Sequence, residues 1–161
     1  MKFEMNQRFD ASPADVIAVY ADPDFYLEAG AVGPLSAPDL VAHDNDGDLV
    51  SLDLRYRYLG DLPPGAGRFV QRDKMTWVQR NRLDLAKSTL DATIVPDNYA
   101  KRLQAKALAR LSPDGDGSVR KVSGEVRVKI MMVGGKVEGA IVEGLKEHLE
   151  EEAQLVVARL A

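Results

Sequence analysis

Residues 130–161 read IMMVGGKVEGAIVEGLKEHLEEEAQLVVARLA, and the reading of this stretch decides the fold. It leaves the end of a strand, turns over at Gly134-Gly135 and continues as one long helix with Gly139 and Gly144 in its first half. A glycine inside a helix costs about 1 kcal/mol relative to alanine. Two of them point to a helix held in place by its surroundings, laid across a curved sheet beside an internal cavity. Val137, Ile141, Leu145, Leu149, Val156 and Leu160 supply the apolar stripe that such a helix needs.

Working back from the helix, the chain alternates with period two. Val122, Gly124, Val126, Val128 and Ile130 oppose Lys121, Ser123, Glu125, Arg127 and Lys129. Before the turn SPDGDGS, the face Leu103, Ala105, Ala107, Ala109 and Leu111 opposes Arg102, Gln104, Lys106 and Arg110. Both are half-buried antiparallel strands. Three alanines and a glycine fill little volume, so either something bulky lies over them or space is left. MTWVQRNRL and KSTLDATIV are weaker strands, GDLPPGAG is a loop, and Val50 to Tyr58 pairs with LVAH through DNDGD as a hairpin.

At the other end, Lys2 to Asp10 is a strand with Phe3, Met5, Gln7 and Phe9 on one face. ASPADVIAVYAD then offers Ser12 as N-cap, Pro13 at the first helical position and Asp15 in a variant capping box. DPDFYLEAGAVGP repeats the device with Asp22 and Pro23 before Gly30, Gly33 and Pro34 end it. The expected class is α+β: one strand, two short helices, about six further antiparallel strands and a long closing helix.

A chain of 161 residues is most simply one domain, 1–161, able to bury about 70% of its unfolded surface. The net charge of -4 argues mildly against a nucleic-acid partner. With no cysteine there is no disulfide, thiolate metal site or thiol nucleophile. MKFEMNQRFD lacks the apolar core of a signal peptide, and no apolar run reaches the roughly 20 residues of a membrane span. A cytoplasmic setting without stable membrane insertion is the expectation. Residues 55–110 hold most of the arginine and lysine, read first as the solvated outer face of strands.

The two segments ASPADVIAVYADPDFY and VGGKVEGAIVEGLKEHLEEE, with the element order, resemble the START/Bet v 1-like superfamily, also called SRPBCC or helix-grip. The second segment is similar to an uncharacterised branch of it, known mainly from actinobacteria, a domain of unknown function. The resemblance implies that the long helix crosses the concave side of a bent sheet. Gly139 and Gly144 would then allow close approach to the two short helices, or leave room at a pocket mouth, or simply be tolerated. It also implies binding of lipids, sterols or polyketides, with some members acting as cyclases or hydrolases, so the fold leaves the activity open.

The chemical motifs are weak. VGGKV departs from a phosphate-binding loop, which needs glycine at 130 and Ser or Thr at 137, where Ile130 and Val137 stand; Glu138, placed in the first helical turn, complements the helix dipole instead. DNDGD at 44–48 departs from a calcium loop at Leu49 and Arg55. His43 and His148 have no partner at metal-ligand spacing, so no metal and no cofactor are expected. Ser118 to Lys121 fits S-x-x-K by chance on a strand. The candidate pocket residues are Phe25, Tyr26, Tyr56, Tyr58, Trp77, Ile141, Leu145, His148 and Leu149. The leading expectation is a carrier or sensor of a hydrophobic or amphipathic small molecule. A cyclase- or hydrolase-like enzyme would use His148 as acid or base, and a ligand-free interaction module would use the basic strand face or acidic helix end, its protein partner unspecified.

Overall fold

Period-two patterning along the chain becomes seven strands of one sheet. In the computed structural model, which describes residues 1–161, these are β1 (Lys2–Phe9), β2 (Asp39–Asp46), β3 (Leu49–Arg57), β4 (Thr76–Asp84), β5 (Thr89–Pro96), β6 (Leu103–Asp114) and β7 (Gly117–Val128). Their order across the sheet is β1-β7-β6-β5-β4-β3-β2, with every neighbouring pair antiparallel. Hairpins connect β2 through β7 in sequence, and β1 then pairs with the last strand along its whole length. The two short helices α1 (Pro13–Tyr20) and α2 (Pro23–Ala29) follow β1, and α3 (Gly134–Leu160) closes the chain. This is a curved antiparallel sheet gripping one long helix.

The caps behave as their residue types dictate. Ser12 Oγ accepts the Asp15 N–H at 3.1 Å and donates to Asp15 Oδ2 at 2.8 Å. Asp22 Oδ1 accepts the Asp24 N–H at 3.0 Å. Each cap removes one unpaired donor from a helix start. Val16, Ile17, Tyr20, Phe25 and Tyr26 are buried against the sheet and α3, with Phe9, Leu52, Leu54, Val122, Val126 and Val156 at the centre of the core. No helix is long and apolar enough to cross a membrane.

The entry to α3 differs from the sequence expectation. The helix begins at Gly134, so the glycine pair is its first turn, and residues 130–133 reverse the chain with Met132 at a φ of 71°. Gly134 is needed for proximity: a Cβ there would stand 2.6 Å from the Val128 carbonyl oxygen. Glu138 lies beyond the first turn and accepts the Val128 N–H at 2.8 Å, tying the helix back to β7. Leu160, assigned to the apolar stripe from its spacing, is the last residue of α3 and is 36% exposed.

The two internal glycines have different reasons. A Cβ on Gly144 would meet Pro34 Cγ at 3.0 Å and Tyr58 at 3.7 Å. The close approach is therefore real, but it is to the loop after α2 and the end of β3, not to the short helices. A Cβ on Gly139 would meet only Met1 Cε, at an ordinary 3.7 Å, so that glycine is simply tolerated. Gly139→Ala is expected to raise stability by about 0.5–1 kcal/mol in urea unfolding. Gly144→Ala is expected to gain nothing or lose stability, since Pro34 is a rigid ring that must shift. Equal gains at both positions would contradict this packing.

Candidate functional site

Between the concave sheet and α3 the side chains are too small to meet. Ala92 of β5 and Ala105, Ala107 and Ala109 of β6 face α3, and beside them lies a hollow of about 60 Å³. Phe3 covers the neighbouring Gly124, where a Cβ would sit 2.5 Å from its ring. That ring closes one flank and leaves the alanine stripe uncovered. Leu90, Ile94, Val122, Val126, Leu145 and Leu149 complete the apolar wall. A water needs about 10–15 Å³ of such space, and drug-sized ligands occupy sites of about 300–1,000 Å³. The hollow takes a few waters or a small polar group as it stands.

One end of the hollow is charged. Arg120 of β7, 3% exposed, donates from Nη1 to Gln7 Oε1 at 3.1 Å and to the Tyr20 hydroxyl at 2.9 Å. Its guanidinium lies 4.2 Å from the centre of the Tyr20 ring, and Glu152 Oε1 is 3.8 Å from Nη1. Gln7 passes the network on, donating from Nε2 to the Leu149 carbonyl at 2.7 Å. Nε and Nη2 of Arg120 donate to no protein group. Asn81 of β4, 1% exposed, accepts from Gln79 at 3.1 Å and lines the same space.

His148 is held on both ring nitrogens. Nδ1 lies 2.9 Å from the Val32 carbonyl, which can only accept, so Nδ1 carries a proton. Nε2 lies 3.3 Å from Glu152 Oε2, one helical turn on. Burial alone would lower the histidine's pKa, but the hydrogen bond and charge of Glu152 with the Val32 carbonyl outweigh it, and the net direction is upward. For Glu152 burial pushes upward, yet His148 and Arg120 together hold it below the usual carboxylate range. Burial drives the phenols of Tyr20, Tyr26 and Tyr56 well above their ordinary value, so they stay protonated and do not serve as bases; the Tyr26 hydroxyl donates to the Tyr20 carbonyl at 2.8 Å.

A second hollow of about 50 Å³ lies along the same trough. Its lining advances by two residues on each strand, from Gln79 to Trp77, Ile94 to Pro96, Ala105 to Leu103 and Val126 to Val128, and by one helical turn from Leu145 to Ile141. The Trp77 indole N–H is buried and donates to no protein group. The sequence-expected pocket residues therefore divide. Tyr26, Leu145, His148 and Leu149 line the first hollow, while Trp77 and Ile141 line the second. Phe25 and Tyr56 border a crevice of about 10 Å³ behind His148. Tyr58 lines none of them; its hydroxyl donates to the Asp61 carbonyl at 3.3 Å beside Gly60. Arg120, Glu152, Asn81, Gln79 and Gln7 are the members that sequence reasoning missed.

The cluster makes stability depend on pH in a defined direction. His148, with a raised folded pKa, contributes fully below the ordinary histidine range and loses its contribution as pH rises through the folded value. Glu152, with a lowered one, contributes above the ordinary carboxylate range and loses it as pH falls. Urea unfolding is expected to show a plateau between the two ranges and a decline above neutral pH that His148→Leu abolishes. Glu152→Ala is expected to cost about 3–5 kcal/mol, because it leaves buried cations uncompensated. A pH profile unchanged by the histidine substitution would contradict this assignment.

With this geometry in place, the chain can be set beside known proteins. No curated protein is significantly similar to it in sequence. A structure from Thermus thermophilus superposes with a TM-score of 0.67 at 14% identity, covering 99% of this chain and 96% of that one. The Zhui aromatase/cyclase from Streptomyces sp. R1128 gives 0.65 at 12% identity, over 99% and 92% of the two chains. Norcoclaurine synthase from Thalictrum flavum, in complex with a transition-state analogue, gives 0.66 at 18% identity, over 100% and 96%. At these identities the likeness is one of fold alone, the helix-grip fold. Residues 4–160 match the family described as "Protein of unknown function (DUF2505)", and the chain belongs to that family.

Proposed function

We propose that the chain binds an amphipathic small molecule in the trough between the sheet and α3. The observation that carries this reading is the pairing of an alanine-floored apolar hollow with a buried arginine whose Nε and Nη2 have no protein partner. A ligand's apolar body would run over Ala92, Ala105 and Ala107 toward Trp77, with its polar group at Arg120 and Asn81. Neither hollow alone holds such a molecule, so occupancy joins the two by displacing the side chains between them, Ile141 and Leu145 of α3 foremost. Among the solved structures of this fold, that of norcoclaurine synthase with dopamine and hydroxybenzaldehyde is of a protein holding small aromatic molecules.

A second reading, an enzyme of the cyclase or hydrolase kind, draws on His148 lining the hollow. Against it stands the engagement of both ring nitrogens, which leaves His148 no free lone pair for a substrate proton unless Glu152 moves away. The ligand-free interaction reading is weakened on the outer strand face, where Arg55 pairs with Asp97 at 3.0 Å and Arg82 with Asp53 at 2.7 Å.

Native mass spectrometry of the protein as purified from its host is expected to show a mass excess that organic extraction removes. Ala107→Leu, which fills the floor of the trough, is expected to abolish that excess and lower the affinity for the extracted molecule at least about tenfold while leaving the thermal midpoint within a few degrees. A protein that is always empty, or an Ala107→Leu variant that retains the same cargo, would remove the proposal.

A further inference from the structure

Three loops, residues 59–75, 97–102 and 129–133, converge with the first turn of α3 at the end of the trough where that helix begins. They are tied to each other. The Gln71 N–H donates to the Tyr99 hydroxyl at 3.0 Å, the Lys129 N–H to the Arg102 carbonyl at 2.7 Å, and Arg102 Nη1 to the Phe69 carbonyl at 3.4 Å. Gly65 lies against Val133. The second hollow, with Val70, Tyr99, Arg102, Ile130 and Val137 in its lining, sits directly beneath.

What this end presents to solvent is apolar at its tips and basic around them. Met131 is 84% exposed, Met132 95%, Leu59 45% and Phe69 42%. A single exposed apolar side chain means little, but four on loops of one end of the molecule form a candidate contact surface. Met132 holds a left-handed φ of 71°, a conformation that glycine or asparagine adopts more readily. Exposed around them are Arg68, Arg72, Lys74, Lys101, Arg102, Lys129 and Lys136. The acids of the same loops are Asp61, Asp73 and Asp97, and Asp97 is already engaged by Arg55 and Thr76. This end is therefore cationic in a chain whose net charge is -4.

We propose that this end is a docking surface for an anionic lipid bilayer. Met131, Met132 and Phe69 enter the boundary between headgroups and acyl chains, and the surrounding lysines and arginines meet the lipid phosphates. The chemistry favours a bilayer over a folded acidic protein. The exposed apolar groups sit on a turn and loops ringed by lysines and arginines, the arrangement in which apolar tips enter the headgroup region while cations meet its anionic surface. The contact is peripheral, in keeping with the lack of a helix able to span a membrane. It places the second hollow at the lipid surface, and it stands whether or not the trough carries a ligand.

The test is flotation of the full chain with vesicles of phosphatidylcholine alone and with vesicles in which a third of the lipid is phosphatidylglycerol. Binding is expected to the anionic vesicles only and to weaken as salt is raised. Lys101→Glu and Lys136→Glu are each expected to weaken it by at least about fivefold. Met131→Glu combined with Met132→Glu is expected to weaken it by at least about tenfold, with an unchanged circular dichroism spectrum. Three results would overturn the proposal: no flotation with either vesicle, equal flotation with both, or a methionine double variant that floats like the parent chain. Retention on an acidic polypeptide resin without flotation would likewise overturn it, and would assign the surface to an acidic protein.

Discussion

Everything in this molecule rests on how α3 is fastened, and the fastening is concentrated in its second half. His148 reaches the Val32 carbonyl, the Leu149 carbonyl receives Gln7 of β1, and Glu152 faces Arg120 of β7. Glu151 accepts the Gly33 N–H at 2.8 Å, and Arg159 bridges Glu28 of α2 and that helix's N-cap Asp22. Val156 beneath them is fully buried. The first half has fewer ties: Glu138 to the Val128 N–H and the Met1 amino group, the close approach of Gly144 to Pro34, the buried side chains of Val137 and Val142, and no side-chain cap at Val133. The cover over the row of alanines is thus the less fastened half of the helix.

Burying Arg120, His148 and Glu152 together is an expensive arrangement, since each loses its hydration and apolar residues of similar volume often serve stability as well. It is sustained because nearly every group has a partner: Gln7, Tyr20 and Glu152 for the guanidinium, Val32 and Glu152 for the imidazole. The same satisfaction limits what the cluster can do. An imidazole bonded on both nitrogens orients its neighbours better than it moves protons, which is why a binding role leads over a catalytic one. Donors left over include Nε and Nη2 of Arg120 beside the first hollow, the Trp77 indole N–H in the wall of the second and the buried Ser118 hydroxyl.

Much of the architecture is legible because local signals agree. Ser12-Pro13 and Asp22-Pro23 mark their helices unambiguously, and alternation on β6 and β7 identifies the inner face down to its alanines. The site is less legible, although two of its members leave a clear trace. Extending the β7 alternation back from Val122 places Arg120 on the inner face. Glu152, three residues after Leu149 and four after His148, lies on the apolar stripe of α3. A charge at a stripe position is the sequence signature of a buried pair, and it emerges only when the two elements are read together. Gln7 leaves a weaker trace of the same kind, on the face of β1 that carries Phe3 and Phe9; Gln79 and Asn81, on a strand with poor alternation, leave none, and hollow volume depends on how Phe3, Leu90 and Leu145 pack, which no spacing encodes. The turn into α3 misleads for a related reason: two glycines look like a reversal, whereas here Gly134 serves close contact with Val128 and Met132 takes the left-handed conformation.

Hydrogen exchange of the α3 backbone amides under native conditions reads out the uneven hold on that helix. Amides from 145 to 157 are expected to exchange only through global unfolding, with a urea dependence equal to that of the whole protein. Amides from 138 to 143 are expected to exchange through a smaller opening of lower free energy and weak urea dependence. Uniform protection along the helix, with a single opening free energy from end to end, would contradict the account.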